Sequence, residues 1–174
     1  MATSTSYVTG AVNDAINAAI AWAAADKVYN ESVTDSSENI ILTFGSLNVP
    51  HEAIITDIRL EVTGYGTAGV NMPKFAIMNG DDTSSWKECN ETNTGSPTLL
   101  TWGDGEDLWG FDWTASQANN LKAVLKMDSI APGEDIYYDY VQAIISYESV
   151  ITDTRLSTSL DRGMIQLTSG KISL

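Results

Sequence analysis

The chain has 174 residues, 43% of them hydrophobic, and carries 23 Asp+Glu against 9 Lys+Arg, for a formal net charge of −14. That length and apolar share suffice for one sizeable core. Charge of this sign repels nucleic-acid phosphates and anionic membrane surfaces, so neither is expected as a partner.

Cys89 is the only cysteine, so no intramolecular disulfide can form and a reducing compartment is expected. It reads as a half-buried strand residue. No charged n-region followed by an apolar h-region opens the sequence, so no secretory signal peptide is expected. No apolar run approaches the ~18 residues of a membrane span.

Residues 1–9 are rich in Ser and Thr and suit an extended arm or frayed terminus. Residues 11–25 are Ala-rich without Pro or Gly, the one convincing helical composition. Val12, Ile16 and Ile20 fall at i, i+4 and i+8, a narrow apolar stripe that needs a surface to lie on, with Trp22 as an anchor. Short β-rich runs follow at 28–32 and 39–45, split by a polar turn. Pro50 ends the second run, and His51 beside it reads as a solvated loop residue.

Residues 54–65 give the clearest strand. Ile58, Leu60 and Val62 alternate with Asp57, Arg59, Glu61 and Thr63, which predicts one buried and one wet face. Gly64, Gly66 and Gly69 predict a mobile loop. Residues 74–79 form the next strand, with Phe75 and Ile77 inward and Gly80-Asp81-Asp82 as its turn. Weaker strands are read at 84–91 and 98–102.

Asp107-Leu108-Trp109-Gly110-Phe111-Asp112-Trp113-Thr114 dominates the chain. Four of the five tryptophans lie between Trp86 and Trp113. Such side chains bury large areas, so Trp86, Trp102, Trp109, Phe111 and Trp113 read as a core plug, with Gly110 allowing a sharp backbone change. The competing reading is an aromatic platform for a sugar ring. Thr114 with Gln117 makes a Thr-x-x-Gln capping box and predicts a helix over 114–120.

Two strands close the body. In 121–127, Leu121, Ala123, Leu125 and Met127 share a face. In 136–147, Val141, Ala143, Ile145 and Tyr147 point one way, and Tyr138, Tyr140, Gln142 and Ile144 the other. The expected fold class is mainly β: an antiparallel β-sandwich, jelly-roll-like, with a short N-terminal helix and an extended C-terminal arm. The expected division is an N-terminal arm and helix over 1–25, the sandwich over 26–149 and the C-terminal arm over 150–174.

That last segment carries three cations against two carboxylates, near +1, which leaves about −15 on the rest. Ile151, Leu156, Leu160, Ile165, Leu167, Ile172 and Leu174 make it too apolar for a disordered tail. It reads either as a local cap or as an arm that anchors on a neighbouring subunit.

The sequence holds no nucleotide loop, no Cys/His cluster and no nucleophile elbow, and no carboxylate pair stands out for glycoside hydrolysis. No enzyme activity and no cofactor are expected. The acidic stretch Asp104-Gly105-Glu106-Asp107 is a candidate calcium loop, weighed against a plain solvated turn, and Asp81-Asp82 has the same standing.

Three motifs in order carry a resemblance: Val49-Pro50-x-x-Ala53-x-Ile55-x-x-Ile58, Leu108-Trp109-Gly110-x-x-Trp113-Thr114, and Asp139-x-Val141 running to Tyr147. Over about residues 22–147 the chain resembles a β-sandwich module of phage and prophage structural proteins. It departs where the module's usual Phe-Gly-Val is replaced by Leu121-Lys122-Ala123-Val124. The resemblance implies a virion protein assembled in the host cytoplasm. The form expected first is a capsid decoration (cement) protein that binds the major capsid protein and itself, as a homotrimer. Its contacts would come from Val12, Ile16, Ile20, Trp22 and the C-terminal apolar residues. The alternative is a tail or fibre module that presents Trp86, Trp102 or Trp109 to a host glycan.

Overall fold

A computed structural model describes residues 1–12, 30–31, 39–66, 73–89, 95–126 and 136–150. Nine strands and one helix follow in order. They are β1 (Ala2–Val12), β2 (Asn30–Glu31), β3 (Ile40–Phe44), β4 (Ile54–Gly66), β5 (Lys74–Asn79), β6 (Asp82–Thr83), β7 (Thr98–Trp102), α1 (Ala115–Asn119), β8 (Lys122–Lys126) and β9 (Ile136–Glu148). The protein is mainly β; among the described residues every strand pair is antiparallel and a short helix is present. The hydrogen-bonded path runs β6-β5-β8-β3-β1-β9-β4-β7, with β2 paired to β9 beside β1.

The N-terminal stretch is not a frayed arm. It is β1, at the middle of that path. Residues 2–7 pair with β9, residues 8–12 pair with β3, and the register shifts between Val8 and Gly10. A bulge bends a strand and sharpens its twist. β1 therefore leaves one half of the sheet and enters the other. Ala11 and Val12 were expected to open a helix; they end β1, opposite Leu42 and Ile41. Their Ser/Thr-rich neighbourhood forms strand because each half has a partner, residues 2–7 on β9 and residues 8–12 on β3, and that pairing outweighs weak local propensity. The rest of the expected helix, with Ile16, Ile20 and Trp22, lies outside the described residues, as do residues 151–174.

The two ends of the path meet across the core. Phe75 on β5 packs edge-on to Trp102 on β7, with ring centroids 4.7 Å apart. Trp102 Nε1 donates to Pro73 O at 3.1 Å, just before β5. The sheet thus curls round a core built from Ile58, Leu60 and Val62 of β4, Ile77 of β5, Leu125 of β8 and Ile145 of β9, all fully buried.

The predicted alternation in β4 holds for those three aliphatics, and the predicted inward Phe75 and Ile77 are buried. Three expectations change. Gly64 and Gly66 do not open a loop; they fall within the last three residues of β4, and Gly69 lies outside the described residues. Residues 84–91 give no full strand within the described part, only a bridge between Phe75 and Lys87. Tyr138 does not share the face of Tyr140. The β4–β9 register slips between Thr63 and Gly64, so Thr63 opposes Tyr140 while Gly64 opposes Tyr138. A one-residue slip moves a side chain to the other face. Tyr138 becomes fully buried on the side of Val141 and Ala143. Gly64 makes room for it: a Cβ there would lie 2.5 Å from the tyrosine ring and 2.6 Å from Tyr137 O. Burial pushes the Tyr138 phenol well above its ordinary value. The outer face keeps Tyr137 stacked on Tyr65 and Tyr140 edge-on to Tyr7.

Candidate functional site: the tryptophan plug and the helix beside it

Between β7 and α1 the chain folds back under β4. Ile58 N–H donates to Asp107 O at 2.9 Å, and Asp107 N–H donates to the Asp57 carboxylate at 3.1 Å. The Asp107 carboxylate is occupied twice: Oδ1 accepts Trp109 N–H at 2.8 Å, and Oδ2 pairs with Lys87 Nζ at 2.6 Å. The same ammonium stands 5.0 Å from the centroid of the Trp109 ring. A residue that answers both a carboxylate and an aromatic face fixes the loop against its neighbour strand.

Trp109 takes a positive φ of 57° and Gly110 one of 81°, so the sharp backbone change expected at Gly110 begins one residue earlier. The turn closes with Phe111 N–H donating to Leu108 O at 3.1 Å. The conformation drives the Trp109 ring into the core, where its Nε1 donates to Ile58 O at 2.7 Å. Trp113 Nε1 donates to Leu108 O at 3.0 Å, and Phe111 packs edge-on to Trp113. Gly103 is the hinge into this loop: its φ is 78°, and a Cβ would lie 2.8 Å from Ile58 O and 2.9 Å from Trp109 Nε1.

Trp102, Trp109 and Trp113 are therefore a plug, with every indole N–H given to a backbone carbonyl of this chain. Buried indoles satisfied in this way present no ring face to a sugar, which removes Trp102 and Trp109 as a platform. Trp86 stands apart from the plug: it is 36% exposed, with Lys126 Nζ 5.7 Å from its ring centroid.

In the acidic stretch 104–107 one carboxylate has a structural task. Asp107 is spent on Lys87 and Trp109, while Asp104 and Glu106 face solvent. Among the described residues no group of three or more His, Cys, Asp or Glu side chains converges as a metal site. His51 is solvated as read, beside Glu52 at 2.9 Å.

Two features escaped the sequence. Asp57 was placed on the wet face, yet it is buried, because the register slips between Ile55 and Asp57 and the plug loop covers it. Burial raises its carboxyl above the ordinary range, against the opposing effects of the Asp107 N–H and Arg59. The other feature is a staple: Asn119 in α1 accepts Val49 N–H at 2.8 Å and donates to Val49 O at 2.9 Å. Residues 70 apart in sequence give no local signal for such a contact. The helix itself starts as read, with both bonds of the Thr114–Gln117 capping box present.

Beside α1 an open cleft of about 400 Å³ lies between the helix and the ends of β3, β5 and β8. Phe44, Met78 and Leu121 line it with apolar surface, and Ser116, Asn120 and Lys122 line it with polar groups.

The fold and site define a mainly β antiparallel domain locked by an internal aromatic plug. No protein-family model matches the chain, and no curated protein matches it.

Proposed function

We propose that this chain is a non-enzymatic virion structural protein. The form we favour is a capsid decoration (cement) protein that binds the major capsid protein lattice and reinforces the shell. The observation that carries this reading is the unity of the plug. Leu108, Trp109, Gly110, Trp113 and Thr114, the residues that resemble the phage module, form one interlocked unit of indole, turn and capping hydrogen bonds. The residues that carry the resemblance thus act together as one structural element.

In this reading the curled sheet is a rigid acidic body. Residues 150–174, with opposite net charge and seven Ile and Leu side chains, grip a neighbouring subunit. Each bridging contact contributes roughly 25 cal/mol per Å² of apolar area before the cost of association. Because residues 2–12 are committed to the sheet, the N-terminal share of that grip falls to Ile16, Ile20 and Trp22. The homotrimer is part of the same proposal.

The test is co-sedimentation of the purified chain with capsids of its source particle, alongside a chain lacking residues 150–174. Binding by the full chain and its loss on truncation, with circular dichroism unchanged, is the expected result. No binding to capsids by a folded full chain would overturn the reading. The second reading, a surface module for a host glycan, has Trp86 as its exposed ring; capsid-free signal on a glycan array lost in Trp86→Ala would favour it.

A further inference from the structure

The cleft beside α1 is amphipathic in a specific way. Its floor is apolar: Leu121 is buried, and Phe44 and Met78 are half-buried. Its rim is polar and exposed: Ser116, Asn120 and Lys122. The rim groups have spare hydrogen-bonding capacity. Asn120 spends its Nδ2 on Ser116 O and keeps Oδ1. Gln117, also on the rim, spends Oε1 on Thr114 and keeps its Nε2 donors. Among the described residues no carboxylate pairs with Lys122, whereas Arg59, Lys74 and Lys87 each have a carboxylate partner. The frame behind these groups is fixed at both ends. Asn119 clamps the helix to Val49, and the strands beneath are paired, Met78 directly opposite Lys122. Groups held in place lose less freedom when a ligand arrives.

We propose that this cleft binds one neutral pyranose ring of a glycan. A pyranose presents an apolar C–H face and a girdle of hydroxyls, each of which donates and accepts. The Phe44, Met78 and Leu121 floor matches the first; the Asn120 acceptor, the Gln117 and Lys122 donors and the Ser116 hydroxyl match the second. About 400 Å³ is room for one such ring. The choice of a neutral sugar follows from charge. The chain carries −14, and Asp81 and Asp82 directly follow Gly80 at the cleft's edge, so carboxylated or sulfated sugars are repelled. The site is distinct from Trp86 and independent of any capsid role.

The experiment is a two-dimensional NMR titration of the full chain with neutral hexose and N-acetylhexosamine oligosaccharides. Uronic-acid oligosaccharides form a second arm. The expected result is saturable shifts confined to the amides of Ser116, Gln117, Asn120 and Lys122 on neutral sugars, at millimolar affinity. Ser116→Tyr places a bulky ring at an exposed helix position and fills the cleft. It is expected to weaken binding by at least roughly tenfold while the spectrum elsewhere stays native. Trp86→Ala is expected to leave binding unchanged. The proposal is overturned by no saturable shifts with any neutral sugar, by shifts that persist in Ser116→Tyr, by loss of binding in Trp86→Ala, or by tighter binding of the uronic acids.

Discussion

Gly103 shows how much one missing methylene can decide. Its φ of 78° and the 2.8 Å approach to Ile58 O leave no space for a side chain. Gly103→Ala is expected to break the Trp109–Ile58 hydrogen bond and strain the backbone, costing about 2–4 kcal/mol in denaturant unfolding. A loss under 1 kcal/mol would mean the plug can shift without consequence. Asp57 makes a pH-dependent contribution of opposite sense to most carboxylates. Its folded pKa is raised above 3.8 because burial disfavours the anion. Between 3.8 and the raised value the native state holds the proton that the unfolded state has released, so this group lowers stability as pH rises through that window. Above the window the penalty is complete. Asp57→Asn keeps an oxygen for the Asp107 N–H and removes both the charge and its repulsion from Asp107 and Asp104. The variant is expected to gain stability over the natural chain as pH rises from 3.8 and to hold that gain at neutral pH. Melting curves across pH test this, and a gain that appears only in acid would contradict it.

At the scale of elements, α1 is too short to stand on its own propensity. Its capping box and the Asn119 staple hold it, and through it the cleft wall. Asn119→Ala removes two backbone-directed bonds and is expected to cost about 1–3 kcal/mol. It should also speed amide exchange at Val49, which hydrogen-exchange NMR reads directly. The capping box was legible because Thr-x-x-Gln before an Asn-rich run is a local signal. The staple was not, because nothing near Val49 or Asn119 in sequence announces the other. The β4 strand was legible for the same local reason: Ile58, Leu60 and Val62 keep period two. Tyr138 misled the same rule. Period two holds only while the register is unbroken, and the register slip that turns Tyr138 inward is a property of the β4–β9 pair, not of β9 alone.

At the scale of the whole molecule, β1 is the link between the halves of the sheet. Removing residues 2–8 would strip β9 of one neighbour and sever β3 from the path. The truncated chain is expected to lose its cooperative thermal transition and its near-ultraviolet aromatic signal. A sharp transition retained by that truncation would show that the halves stand independently. The seven residues are a small part of the chain, yet their loss separates the β3-β8-β5-β6 half from the β9-β4-β7 half.

The sequence alone determined what depends on neighbours along the chain: the strand-rich composition, the alternation in β4, the aromatic plug with its glycine, the cap of α1 and the acidity of the surface. These follow from local periodicity, turn chemistry and counts of side chains. Only the tertiary structure decided that residues 2–12 lie at the sheet's centre, that Asp57 and Tyr138 turn inward, that Asp107 is bound to Lys87 and Trp109, and that a cleft opens beside α1. Each of these is set by pairing or covering between segments distant in sequence. A strand's place, the face a bulge selects and the space left between elements are properties of pairs, and no single segment encodes them.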